Sequence, residues 1–159
     1  MNKIRYEIDL RAFVPDLDAD VEGLRTISAD DLHALAALML DAYVGTIDYD
    51  DEGYEDAVAE VDGYLAGTPL LDHSFAVEID GELASAVLVS LEEGRPFMSY
   101  VMTRAAHKGE GLASQVTSRA IATLIDGGHG GVVLYITEGN LPSEALFRSL
   151  GAKPVPDAG

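Results

Sequence analysis

Apolar residues recur at every second position through Ile4, Tyr6, Ile8 and Leu10, and this period of two predicts a half-buried strand over residues 3–14. A polar break follows over residues 15–20, and Gly23 to Ile27 reads as a short strand. The period then lengthens. Leu32, Leu35, Leu38 and Met39 share one helical face behind Ser28, whose hydroxyl suits an N-cap, and Asp30 and Asp31, whose charges suit the positive end of a helix dipole. That helix is expected to run to about Tyr43. Residues 45–53 are polar and turn-like, and Tyr54, Val58, Val61 and Leu65 predict a second helix that Gly67 and Pro69 stop.

Two strands, His73 to Glu78 and Glu82 to Leu91, flank Asp80-Gly81, a pair whose tolerance of positive φ suits a tight hairpin. Pro96 to Thr103 is a further strand. From Gly111 the positions Leu112, Val116, Ala120, Ile121, Leu124 and Ile125 keep a 3.6-residue period until Gly127-Gly128. Gly131 to Thr137 reads as a buried strand, and Pro142 or Ser143 opens a last helix that ends at Gly151. Prolines 154 and 156 forbid an interior strand in the tail, so at most a stub fits there.

The junction between the strand ending at Thr103 and the helix opening at Gly111 is basic and glycine-punctuated: Arg104-Ala-Ala-His-Lys-Gly-Glu-Gly. Glycines admit a ligand close to the backbone. The first N–H groups of a helix lack internal partners and lie at the positive end of its dipole. This is the plan of a pyrophosphate cradle. A dinucleotide fingerprint would need three glycines and a later acid, and a Walker loop would need Gly-Lys-Ser/Thr; neither is present.

Composition narrows the alternatives. With 159 residues, 48% of them apolar, the chain can build one domain with a real core. The absence of cysteine excludes disulfides, thiolate zinc sites and a cysteine nucleophile. His33, His73, His107 and His129 are too dispersed to suggest a local metal cluster, and no metal is expected. A net charge of −18 disfavours nucleic acid and anionic membranes as partners. It would draw in a cationic substrate such as a protonated amine, or simply keep the surface solvated. No apolar run approaches the ~18 residues of a membrane span, no signal-peptide core opens the chain, and a cytoplasmic location is expected.

Lys108-Gly109-Glu110-Gly111-Leu112-Ala113 resembles the Gln/Arg-x-x-Gly-x-Gly/Ala signature of the GNAT superfamily of acyl-CoA-dependent N-acetyltransferases, with Lys where Arg or Gln is usual. Leu134 to Asn140, followed by Leu146-Phe147-Arg148-Ser149-Leu150-Gly151, resembles the second half of that family at matching spacing. The resemblance implies a single-domain α/β (α+β) GNAT fold over residues 1–159. Its parts would be a mixed, mostly antiparallel sheet, about four helices, and a splayed strand pair at the cofactor site. Residues 1–22 would form an N-terminal strand and loop, 23–94 the acceptor-side half, 95–151 the acetyl-CoA-binding half, and 152–159 a short tail.

The same resemblance implies acetyl-CoA as cosubstrate. The backbone of Val101, Met102 and Thr103 would pair with the pantetheine arm, while Gly109, Glu110, Gly111, Leu112, Ala113 and Ser114 would wrap the pyrophosphate. Lys108 would add a charge or remain solvated, and Asn140 would bond the arm or cap a helix. Phe147 stands where the family usually carries a tyrosine acid. Tyr135 takes the position of a general base, or is a core aromatic, and Glu138 could act through water, or is a solvated loop acid. Asp48, Tyr49 and Glu52 would wall the acceptor site.

The implied reaction is transfer of an acetyl group to a primary amine, small or peptidyl, by direct attack in a ternary complex. The alternative is a catalytically weak acyl-CoA-binding module with a regulatory or interaction role. The tail is too short for the two strands that family members usually add. Either the N-terminal strand replaces one of them, or a second subunit covers the edge as a homodimer.

Overall fold

The computed structural model describes residues 2–13, 21–44, 46 and 51–155. Strand β1, Lys3–Asp9, buries Tyr6 and Ile8 on one face. It is shorter than the alternation predicted. The Asp9 carboxylate accepts the Arg11 N–H at 3.1 Å and turns the chain into a 3-10 turn, Leu10–Ala12, within which Leu10 remains buried. The polar break at 15–20 lies outside the described residues.

After β2, Leu24–Thr26, Ser28 does act as a cap, but of a 3-10 turn over Ala29–Asp31 that leads into helix α1, Leu32–Tyr43. Asp31 closes the capping box through the Ser28 N–H at 2.9 Å and holds Arg25 with both carboxylate oxygens at 2.9 Å each. The Arg25 guanidinium keeps the Asp31 carboxyl below the usual carboxylate range. A depressed folded-state pKa adds stability that is complete above the unfolded value and is lost as pH falls through the folded one. Asp31→Asn is therefore expected to cost about 1–2 kcal/mol in urea unfolding at pH 7, with the variant and parent curves converging as pH falls below the usual carboxylate range.

Helix α2, Tyr54–Ala66, is followed by strands β3, Phe75–Ile79, and β4, Glu82–Glu92, around the predicted turn, where Asp80 and Gly81 both take positive φ (51° and 80°). Then come β5, Arg95–Thr103; α3, Leu112–Asp126; β6, Gly131–Thr137; α4, Leu141–Ser149; and a two-residue β7, Lys153–Pro154. The sheet order is β2-β3-β4-β5-β6-β1-β7, antiparallel throughout except between β5 and β6.

Leu35, Leu38, Met39 and Val61 from α1 and α2 pack on Ala86, Leu88 and Met102 at one sheet face. On the other face Val116, Ile121 and Leu124 of α3 and Phe147 of α4 meet Val77, Val87, Val89 and Leu134. Because β4 is covered on both faces, its residues from Leu83 to Ser90 are all buried, and its sequence reads as a nearly unbroken apolar run. The Tyr64 phenol pins α2 to β4 by donating to the Val89 carbonyl at 2.6 Å, and burial pushes it up to about 12.

The strand beside β6 is β1, the N-terminal strand. It pairs with β6 along its whole length, from Lys3↔Thr137 to Asp9↔Gly131. Among the described residues the tail adds a stub at Tyr6↔Pro154 and Glu7↔Lys153.

Candidate active site

Two features of β5 open the molecule. Its register against β4 slips between Leu88↔Tyr100 and Val89↔Met98, so Ser99 is an extra residue that bulges the strand. Its parallel pairing with β6 is confined to Phe97↔Val133. Beyond that pair the strands part, and Met98 to Val101 of β5 and Leu134 to Thr137 of β6 line opposite sides of one cavity of about 600 Å³. The predicted splay is present, and the β6-facing backbone edge of β5 past the bulge is offered to an extended ligand rather than to a strand.

A second cavity, of about 520 Å³, continues from the first toward α3. Val101, Met102, Thr103, Lys108, Gly109, Gly111, Leu112, Ala113, Ser114 and Asn140 all line it. Gly111 is the N-cap of α3 at φ 79°, Gly109 has φ 87°, and a Cβ at either would enter open space, so backbone conformation is what selects glycine here. No side chain caps α3, which leaves its first N–H groups directed at the cavity. An uncapped helix start, two left-handed glycines and an unpaired strand edge along one continuous cleft fit a pyrophosphate joined to an extended arm.

The loop before α3 is tied to the end of α1. The Ala105 N–H donates to Asp41 Oδ1 at 2.7 Å, Arg104 lies 3.6 Å from the same carboxylate, and Lys108 Nζ donates to the Ala42 carbonyl at 3.1 Å. Lys108 thus neutralises the C-terminal end of α1 while lining the cradle. Glu110 does not line either cavity; its carboxylate faces His107 Nδ1 at 2.8 Å, and it is His107 that lines the cradle. Sequence reasoning passed over His107, although a basic ring just ahead of the glycine turn was a readable signal. Asn140 caps α4, its Oδ1 accepting the Ser143 N–H at 3.3 Å, and it lines both cavities.

Tyr43, Val101, Asn140, Ser143 and Phe147 border both cavities and mark the junction between them. Phe147 is buried in the core and brings no hydroxyl to it. On the other side of the junction, Glu52, Asp56 and Glu60 line the larger cavity with Lys3 as its cation. Of the residues expected on the acceptor side, Glu52 lines the larger cavity, whereas Asp48 and Tyr49 lie outside the described residues. Tyr135 lines the larger cavity but is 45% exposed and leans on Phe97 with ring centres 5.7 Å apart. Glu138 is exposed past the end of β6, outside both linings, with its N–H donated to the Asn2 carbonyl at 2.8 Å. Tyr100 and Glu60 were not singled out from sequence; the Tyr100 hydroxyl donates to Glu60 Oε2 at 2.5 Å inside the larger cavity. Burial first, and then the Glu60 carboxylate, push the Tyr100 phenol well above its ordinary value. Among the described residues no group of three potential metal ligands occurs, and no helix is long and apolar enough to cross a membrane.

Residues 79–155 match the family model described as FR47-like protein. No curated protein matches the sequence. Solved structures do match in fold. A GCN5-related N-acetyltransferase from Sphaerobacter thermophilus aligns with TM-score 0.74 and 16% identity, covering 96% of this chain and 48% of the other, so this chain spans about half its length. The ribosomal-protein-S18-alanine N-acetyltransferase from Escherichia coli aligns at TM-score 0.66 and 15% identity, over 86% of this chain and 95% of that one. A PaiA N-acetyltransferase from Thermoplasma acidophilum, solved in complex with coenzyme A, aligns at TM-score 0.65 and 14% identity, over 79% and 86% of the two chains. Residues 79–155, which carry the cradle, thus match the FR47-like family model, and nearly the whole chain shares the fold of a solved GCN5-related N-acetyltransferase.

Proposed function

We propose that the protein is an N-acetyltransferase that carries an acetyl group from acetyl-CoA to a primary amine, by direct attack within a ternary complex. The observation that carries this reading is the junction: an anion-ready cradle and an acid-lined cavity meet at Val101, Asn140 and Phe147 on a splayed strand pair. Acetyl-CoA, when bound, supplies an acyl carbon activated as a thioester. The chain does the rest. Gly109 and Gly111 to Ser114 hold the pyrophosphate with backbone N–H groups, and the β5 edge at Val101 to Thr103 orients the arm. The bulge at Ser99 re-aims the following backbone so that an N–H near Val101 polarises the acyl oxygen.

Acceptor chemistry follows from charge. Among the described residues, three carboxylates against one lysine make the larger cavity negative, which favours a protonated amine on entry. The absent hydroxyl at Phe147 need not stop turnover, because a thiolate whose conjugate thiol has a pKa of ~8.5 leaves without strong general-acid help. Calorimetric titration with acetyl-CoA, CoA and ATP, followed by thiol-release assays over an amine panel, tests the proposal. Binding that prefers acetyl-CoA, with thiol release, is the expected result. Binding without release from any amine would favour the acyl-CoA-binding module, and no binding would reduce the glycine turn to architecture.

A further inference from the structure

We propose that Glu60 is the group that takes the proton from the acceptor amine and that Tyr100 positions it, an inference that rests on the acetyltransferase reading above. Three acids line the acceptor cavity, and their surroundings separate them. Asp56 is occupied as a helix cap, its Oδ2 accepting the Gly53 N–H at 2.8 Å. Glu52 lies ahead of α2, beyond its capped start. Glu60 is tied to the strand that orients the thioester: Tyr100 donates to its Oε2 at 2.5 Å, and Tyr100 adjoins Val101, which borders both cavities.

The helix that carries the carboxylate is also anchored. Tyr64, one turn along α2, is locked to β4 at 2.6 Å, so the segment that carries Glu60 has little freedom to move. Among the described residues no cation pairs with Glu60, and a positively charged amine is the partner its charge lacks. Desolvation keeps the Tyr100 phenol protonated at neutral pH, so Tyr100 donates at this contact and Glu60 accepts. The cavity continues past Glu60 into a further groove lined by Ala59, Gly63 and Ser90, which leaves room for the remainder of the acceptor.

The step balances. The ammonium of the acceptor gives one proton to Glu60, and the freed lone pair attacks the thioester carbon. The C–N bond forms and the C–S bond breaks. The second nitrogen proton passes to the departing sulfur through water, giving free thiol, and Glu60 returns its proton to solvent when the amide leaves. The sum is an ammonium and acetyl-CoA converted to an amide, CoA thiol and one proton.

The test compares Glu60→Gln, Glu60→Asp and Tyr100→Phe with the parent, using spermidine and a short peptide with a free α-amine as probes. Glu60→Gln should lower kcat by about 100-fold, the low end of general-base effects, and flatten the acidic limb of the kcat profile. Acetyl-CoA affinity should stay within about twofold, since Glu60 lies outside the cradle. Glu60→Asp should recover part of kcat and restore the limb. Tyr100→Phe should lower kcat by about tenfold without abolishing the limb, as expected of a positioning residue. An unchanged kcat in Glu60→Gln, or a lowered kcat whose acidic limb persists, would overturn the inference and assign the contact to tying α2 to β5. Parent protein that binds acetyl-CoA but releases no thiol with either probe would also overturn it while leaving the cofactor reading intact. Failure to bind acetyl-CoA would overturn the reading beneath it.

Discussion

Ala113→Asp should abolish acetyl-CoA binding while slightly raising the stability of the protein. Ala113 lies in the first turn of α3 and lines the cradle, so a carboxylate there meets the pyrophosphate at close range. Two like charges ~4 Å apart near a protein surface repel by about 4 kcal/mol, which places the loss of affinity on the order of 100- to 1000-fold. The same carboxylate is welcome to the helix itself, because a negative charge in a first turn stabilises by ~0.3–1 kcal/mol. Melting temperature and affinity should therefore move in opposite senses, a pattern that general damage does not produce. Calorimetric titration beside a thermal melt reads both, and an unchanged affinity would refute the placement of the cradle.

The second large effect is on stability. Ile8 is 1% exposed, sits opposite Val132 in the β1–β6 ladder, and belongs to the core beneath α3. Ile8→Ala should cost about 3 kcal/mol, from lost transfer energy plus the cavity left behind. For a chain of this size that corresponds to a fall in Tm of about 6–12 °C. Ile4, on the same face but only partly buried, should cost well under half as much when changed to alanine. Were β1 a dispensable extension, both variants would melt with the parent. Scanning calorimetry decides, and acetyl-CoA affinity measured below the transition should be preserved in both.

The cradle was legible because everything it needs is contiguous. Positive φ at Gly109 and Gly111 and an uncapped helix start at Leu112 are properties of four successive residues, and their order can be read without a fold. The acceptor side was not legible for the opposite reason. Tyr100 and Glu60 are 40 positions apart, and each has an ordinary local role, a strand aromatic and an exposed helical acid. Lys108 and Ala42 are 66 apart, and nothing near either predicts that the lysine spans to the end of α1. The one available hint was that Asp56 and Glu60 repeat at i, i+4 and so share a face of α2. Tyr135 and Glu138 drew attention by their place beside a family motif, yet side-chain direction and loop exit, which motif spacing does not encode, put one against Phe97 and the other outside the linings.

Element order, the hairpin at Asp80-Gly81 and the anion-binding turn were thus determined by the sequence itself, since periodicity, caps and positive-φ positions depend on contacts within a few residues. Even there, a local competitor shortened β1: the Asp9 side chain reached the Arg11 N–H and ended the strand early. The tertiary structure alone decided that β1 closes the sheet beside β6, that β5 and β6 part after Phe97↔Val133, and that Glu60 meets Tyr100. Those outcomes turn on which distant surfaces bury each other. A strand's alternation shows that one face must be covered, but leaves its partner and register to the packing of the whole chain.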